Sequence, residues 1–430
     1  MLLNFTQKYN NLTIPLLSFR IGLFSFVCLI WLNGCREDPE NIRIITDIPT
    51  VITLETINIQ NGNAEVKGII VDNGMLSVTT SGICWSRTTQ FPTIETAQSI
   101  QLTAGPDGAF SGLISELAGG STYYVRAFAI NEKGIAYGNI KDFDTPPIFS
   151  AILSPFPSNL RMINSMAYFS MNGHFYILGG DLGASLTDEL WRYSVADDLW
   201  VQLNNFIDGP MRCQSAVSYG SGAFVFGGYN FNEDVRPDIY YYDTNANIWT
   251  SYEGPDSSPV YWTIGFTSGN SVYYVGGMSR DKVRDDVWCF HVPTTTWQKK
   301  TAFPVQQYGG VACVIDNIAY VGLGSDSLGV CNGELWSTAD SALTWQLKTS
   351  FSAFGKVLGG VVCNKRLYVI DESNHITEYN PETNSWKKKS PMPLRLPTQG
   401  IYSFMNKIYI DFSPFFISVY DPLWDIMGQI

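Results

Sequence analysis

Three arginines stand in short segments rich in turn formers: Arg161 in "PSNLRM", Arg212 in "DGPMRC" and Arg395 in "PLRLPT". A guanidinium presents a planar fork of donors that matches a carboxylate, so three of them converging would hold an acidic ligand. Three more segments of the same make-up, "SSPVYW", "FPVQQY" and "SAFGKV", offer Tyr261, Trp262, Gln307, Tyr308 and Lys356. Cations beside rings in a concave, partly dry site suit an anion or a sugar carrying a carboxylate. The alternative is that the arginines tie neighbouring loops together through backbone carbonyls and acids such as Asp181. Which holds depends on whether the chain brings these segments to one place.

Other chemistries are poorly supplied. Three histidines, His174, His291 and His375, leave little for imidazole-based metal or acid–base sites. No Ser/His/Asp arrangement, phosphate loop or calcium loop is present, and no cofactor is expected. The paired acids Asp197-Asp198 and Asp285-Asp286 read as turn and sheet-edge solvation. The formal charge of −12 repels phosphate backbones, so nucleic acid is not an expected partner.

The first 34 residues read as an address. Lys8 and Arg20 precede the uncharged run "IGLFSFVCLIWL", right in length for a signal-peptide core and short for a membrane span. It ends in "LNGC", Leu32 to Cys35, which resembles a bacterial lipobox. That resemblance implies cleavage before Cys35 and acylation of its thiol, giving a membrane anchor without a spanning helix. Acids follow directly in "CREDPE", similar to the signal that sends some lipoproteins to the outer face of the outer membrane. With Cys28 removed and Cys35 acylated, six cysteines remain and none forms a C-x-x-C pair. Cys313 in "GGVAC" and Cys363 in "GGVVC" are expected to occupy the same place in two repeats and to pack as small hydrophobes; a disulfide stays open.

The elements that must position the candidate residues are strands. Aromatics make up 14% of the chain and charged residues 15%, with 38 glycines and 21 prolines, which suits many short strands joined by tight turns. Between residues 50 and 146, "NAEVKGIIVDNG", "TSGICWS" and "YYVRAFAIN" alternate with a period of two. Tyr123, Val125, Ala127 and Ala129 then share one face. The stretch "LAGGSTYYVRAFAINEKGIAYG" resembles the end of a fibronectin type III domain. The resemblance implies a small β-sandwich, with Leu117 and Tyr123 at a tyrosine corner and Trp85 in the core. A spacer is the expected role, ahead of a ligand-binding module. "DTPP", Asp144 to Pro147, closes the segment.

The rest of the chain repeats itself. "GGDLGASLTDELWRYSVADDLW" from Gly179 is followed by copies from Gly227 and Gly276, a worn one from Gly324, and others over Ile370 to Trp386 and Ile410 to Trp424. The first three, and the fifth, place an aromatic (Tyr193, Tyr242, Phe290, Tyr379) seven residues before a tryptophan. A period near that of four short strands means a β-propeller. Glycine pairs with spaced Tyr and Trp resemble kelch repeats. The copies give six blades but five complete outer ends, and "IFSAILSPFP" from Ile148 supplies the missing strand. In a propeller the six segments of the opening paragraph gather at one mouth of the central channel.

The expected molecule is therefore all-β: a signal peptide over 1–34, a linker over 35–49, a fibronectin type III-like β-sandwich over 50–146 and a six-bladed kelch propeller over 147–430. Its expected role is that of a lipid-anchored, surface-exposed protein that binds a glycan or a protein partner. One alternative is an enzyme similar to sialic acid mutarotases, with Arg161, Arg212 and Arg395 holding the sugar's carboxylate. Another is a structural surface component. A copper-radical oxidase of the galactose oxidase kind is not expected, because its two histidines would have to converge at the axis.

Overall fold

The computed structural model describes residues 48–152, 165–255, 260–280, 282–350, 355–392, 400–411 and 417–425. Cys35, Arg161 and Arg395 lie outside the described residues. Every described sheet is antiparallel, and the one helical element is a single 3-10 turn, Val292–Thr294.

The N-terminal part has two sheets. One is built from Thr50–Thr53, Ile57–Gln60, Asn63–Asp72 and Ala109–Ile114; the other from Thr80–Ser86, Gln98–Leu102, Thr122–Asn131, Gly134–Tyr137 and Lys141–Asp144. Their facing side chains share one core, which takes Val66 and Ile114 from the first sheet and Ile83, Trp85 and Val125 from the second. Period-two alternation puts Tyr123, Val125, Ala127 and Ala129 on the buried face, each 4% exposed or less. Phe128, on the opposite face, is also buried: Gly82 on the neighbouring strand leaves the space its ring fills. The Tyr123 hydroxyl accepts a hydrogen bond from the buried Ala118 N–H at 2.9 Å, fixing the turn that leads into its own strand.

Six sheets of four strands follow. The first runs outward through Ala167–Met171, His174–Leu178, Leu190–Ser194 and Leu199–Gln202; the next four, over residues 215–252, 264–299, 311–350 and 357–388, repeat this order. The last takes Gly400–Phe404, Lys407–Asp411 and Ile417–Tyr420 from the C-terminal end, and its outer strand, Phe149–Ile152, from the other end of this region. The first strand of each sheet neighbours that of the next, and the first strand of the last sheet neighbours that of the first.

The spacing of tyrosine and tryptophan has a local cause. Tyr193, Tyr242 and Tyr379 face Trp200, Trp249 and Trp386 directly across the outer hairpin, with ring centroids 4.8–5.1 Å apart. Each hydroxyl donates to the side chain five residues on, Asp198, Asn247 or Asn384, at 2.6–2.7 Å. Those acceptors sit at φ of 49–56°, a conformation Asn and Asp tolerate in turns. The tryptophans also bridge sheets. Trp249 and Trp297 donate their indole N–H to Asn204 and Glu253 carbonyls of the preceding sheet's outer edge, at 3.2 and 2.8 Å. They are structural.

The paired acids do more than solvate an edge. Asp198 anchors Tyr193, and Asp197 accepts from the Ser194 hydroxyl at 2.7 Å. Asp286 is paired with Arg284 and Lys299, at 2.5 and 2.6 Å. Burial pushes the Asp286 carboxyl up, but the Lys299 and Arg284 bonds outweigh it and hold it below the usual carboxylate range. A depressed folded value stabilises the fold at pH above about 4, and this contribution is lost as pH falls through the folded value. Asp286→Asn should therefore lose about 1 kcal/mol near neutrality, screening included. Urea titrations over a pH series should show the difference from wild type closing below pH 4; a difference that persists there would refute the ion pair's role.

One sequence expectation is corrected. Cys313 pairs across its hairpin with Tyr320, whereas Cys363 pairs with Arg366 beside the turn, the place Ile315 holds in the preceding sheet. The two thiols are thus two positions out of step. The six described cysteines are unpaired, and burial pushes the Cys313 and Cys363 thiols up to about 12. Trp424 ends the last repeat, whose outer strand the sequence assigns to the segment from Ile148. It follows a turn after Ile417–Tyr420 and is buried in the core of the N-terminal sandwich, 2% exposed, with its carbonyl accepting from Gly119 N–H at 2.8 Å. The outer-strand place that a tryptophan fills in the other sheets is here taken by Phe149, packed on Tyr420 at 5.0 Å.

Candidate functional site

The approach to each innermost strand is built the same way. Ser165, Cys213, Trp262 and Gly309 stand just before the first strands of four successive sheets, with φ of 55°, 59°, 50° and 61°. They are joined in series: Cys213 N–H donates to Ser165 O (2.7 Å), Trp262 N–H to Cys213 O (3.1 Å) and Gly309 N–H to Trp262 O (2.7 Å). This arc of backbone hydrogen bonds forces the left-handed conformation at each position. A residue as large as tryptophan rarely adopts it, so the indole of Trp262 is held at a strained site.

One residue earlier, Arg212, Tyr261 and Tyr308 each bridge to the third residue after their sheet's second strand, Tyr229, Met278 and Ser325. Lys356 accepts from Glu372 N–H at 2.8 Å, the counterpart in the fifth sheet of the bonds that Arg212, Tyr261 and Tyr308 accept from those three residues. Arg212, Tyr261, Tyr308 and Lys356 therefore form one tier, with Trp262 beside it. Trp262 and Tyr308 stack at 5.4 Å with 23° between their planes, Tyr261 packs on Trp262 at 5.5 Å, and the Lys356 ammonium lies 5.6 Å from the Trp262 ring. A cavity of about 280 Å³ opens here, lined from five sheets by residues that include Tyr168, Ser215, Trp262, Tyr308, Ser325 and Lys356. Burial pushes the Tyr168 phenol up to about 12, so it stays protonated.

The structure thus brings together Tyr261, Trp262, Tyr308 and Lys356. Arg212 is turned to another use: its guanidinium is ion-paired with Asp181 of the preceding sheet and lies 4.7 Å over the Tyr229 ring. That is the loop-tying alternative, and it leaves the fork engaged. Gln307 departs from the mouth altogether. It is fully buried, and its side-chain oxygen accepts from Gly324 N–H and the Asn332 amide, both at 3.1 Å, while its carbonyl accepts from Gly277 N–H at 2.8 Å. Gln307 staples the third sheet to the fourth. The histidines fall on the first, third and fifth sheets, and no group of three metal-ligating side chains occurs among the described residues.

Tyr168 and Ser325 escaped the sequence reading. Tyr168 is one more aromatic in an aromatic-rich strand and gave no signal. Ser325 had one, since it stands directly after the worn glycine pair, where Tyr229 and Met278 stand in the other copies.

Comparisons with known proteins agree on the fold. Residues 165–370 match the family described as the KLHDC2/KLHL20/DRC7 Kelch-repeats domain. Kelch-like protein 23 of Mus musculus is 25% identical over 275 residues, covering 59% of this chain and 48% of its own. The F-box/kelch-repeat protein SKIP4 of Arabidopsis thaliana is 24% identical, covering 49% of this chain and 59% of its own. The chain thus spans about half the length of the curated relatives it matches. A solved structure described as "Structure of YjhT" superposes with a TM-score of 0.51 at 16% identity, covering 63% of this chain and 95% of that one. The repeat region is similar to kelch propellers in sequence and in fold.

Proposed function

We propose that the protein is a surface-anchored binding protein that presents the mouth of a six-bladed kelch propeller to a glycan. In this reading residues 1–34 are a signal peptide, Cys35 carries the lipid, 35–49 is a linker and the fibronectin type III-like sandwich over 50–146 is a spacer. The propeller over 147–430 is closed by its own N-terminal strand. The pairing of Phe149–Ile152 with Ile417–Tyr420 supports that closure, and the Tyr123–Ala118 hydrogen bond supports the tyrosine corner.

The observation that carries the reading is the lining of the mouth. It supplies stacked rings, hydroxyls and one ammonium, and its described residues include no carboxylate and no imidazole. A mutarotase needs an acid–base pair at the ring it opens. Rings with hydrogen-bond donors are instead what holds a sugar in place. A glycan array run beside an NMR measurement of sugar-acid anomer exchange separates the readings. Binding without exchange is the expected result. Exchange above the buffer rate would replace the binding reading with the enzyme, and silence in both would leave a protein partner or a structural role.

A further inference from the structure

Resting on the glycan reading, we infer that the cavity beside Trp262 is a site for a single sugar unit bearing an anionic substituent, with Lys356 as the residue that selects the charge. Three donors on its wall are unspent. Trp262, Tyr308 and Lys356 line the cavity, from the third, fourth and fifth sheets, and their indole N–H, hydroxyl and ammonium make no hydrogen bond with the described residues. Lys356 also has no carboxylate partner among those residues, in a chain with 39 acidic residues against 27 basic ones. Among the described residues its ammonium is met only by the Trp262 ring, a weak substitute for a counter-ion. A cation left without a carboxylate at the rim of a concave site is free to pair with an incoming anion.

The rest of the lining fixes the ligand's other properties. With donors and no carboxylate among its described members, the wall matches a molecule rich in acceptor oxygens. The stacked Trp262–Tyr308 pair favours a ligand with a flat apolar face, which the C–H side of a pyranose provides. A volume of about 280 Å³ admits one sugar residue and excludes a folded peptide segment. The strain at Trp262 adds an independent pointer. Of the four equivalent left-handed positions, occupied by Ser165, Cys213, Trp262 and Gly309, only one carries a large ring, and that ring faces this cavity's wall. The anion is a carboxylate or a sulfate ester; both accept from an ammonium, and the test below separates them.

The purified full chain is titrated, by calorimetry and ligand-observed NMR, with methyl glucuronide, the sulfated methyl glucoside, neutral methyl glucoside and inorganic sulfate. At least one charged sugar should bind ~10-fold more tightly than the neutral one, and less so as salt is raised. Lys356→Gln should erase that preference and leave neutral binding in place, whereas Tyr308→Leu should weaken all three sugars. Lys356 is exposed and outside the sheet seams, so its variant is expected to keep the wild-type melting point, which is measured alongside. Preference for the glucuronide alone assigns a carboxylate, and preference for both sugars assigns an anion in general. Equal affinity for charged and neutral sugars, a preference that survives Lys356→Gln, or inorganic sulfate binding as tightly as the sulfated sugar would overturn the inference. Neutral glycans bound without charge preference would sink this inference alone; no glycan bound at all would sink the functional reading with it.

Discussion

Replacing Trp424 with alanine should destabilise the chain by about 3–5 kcal/mol, the range for removing a large aromatic from a packed core. It should also split one unfolding event into two. Trp424 is supplied from the C-terminal end of the propeller, yet it is 2% exposed in a cluster with Leu117, Tyr123 and Val125 of the sandwich. Its backbone is tied there as well, through Gly119 N–H. The turn that delivers it is clamped on the propeller side. Asp425, 2% exposed, accepts from the Ser390 N–H, the Ser390 hydroxyl and the Tyr420 hydroxyl at 2.7–3.0 Å. Two adjacent residues, Trp424 and Asp425, are therefore anchored one in the sandwich and one in the propeller. Calorimetry of the wild type should show a single cooperative transition and Trp424→Ala two, with the sandwich melting first. A single transition at an unchanged temperature would mean that the indole couples nothing.

Gly276→Ala should cost about 3 kcal/mol, more than its positive φ alone explains. Gly276 has φ +63°, and a β-carbon there would stand 2.5 Å from the Gln307 carbonyl oxygen, which accepts the Gly277 N–H. The methyl would push the fourth sheet's entry segment off the third sheet and break that bond. Two comparisons separate crowding from φ. Leu323 holds the equivalent position in the fourth sheet at φ 59°, so a side chain can adopt the conformation. Gly183 has φ +89° with nothing within 4 Å of its β-position, so Gly183→Ala should cost only about 1 kcal/mol. Urea midpoints of the two variants check this directly, and equal losses would show that conformation, not crowding, chose the glycine.

The periodic parts of this fold were readable because they are local. Strands announce themselves by alternation, hairpins by turn formers, and the Tyr–Trp spacing is a cross-strand pair seen edge-on in sequence. The ring-closing strand was legible for a related reason: five complete repeats made the missing piece conspicuous. What sequence spacing does not carry is the identity of partners brought together across seams. Arg212 and Lys356 look alike as loop cations, yet one meets Asp181 and the other meets only a ring. Gln307 and Tyr308 are neighbours in the chain, and backbone direction sends one into a seam and the other to the cavity. The Cys313 and Cys363 misalignment arose because glycine pairs were matched, while the hairpin turns, which set register, lie two residues apart relative to them.

The closing strand and Trp424 together set an order in time. The Ser418 hydroxyl donates to the Ser150 carbonyl in the last sheet, 268 residues away along the chain, so this is among the slowest contacts to search for. A chain that becomes available to fold from its N-terminal side makes the sandwich before the ring, then waits for five sheets before the partner of Phe149–Ile152 exists. Only after that strand docks does residue 424 arrive to fill the space left among Leu117 and Tyr123. The first module to be synthesised is thus the last to be completed, and its finished core certifies that the whole ring behind it has been made.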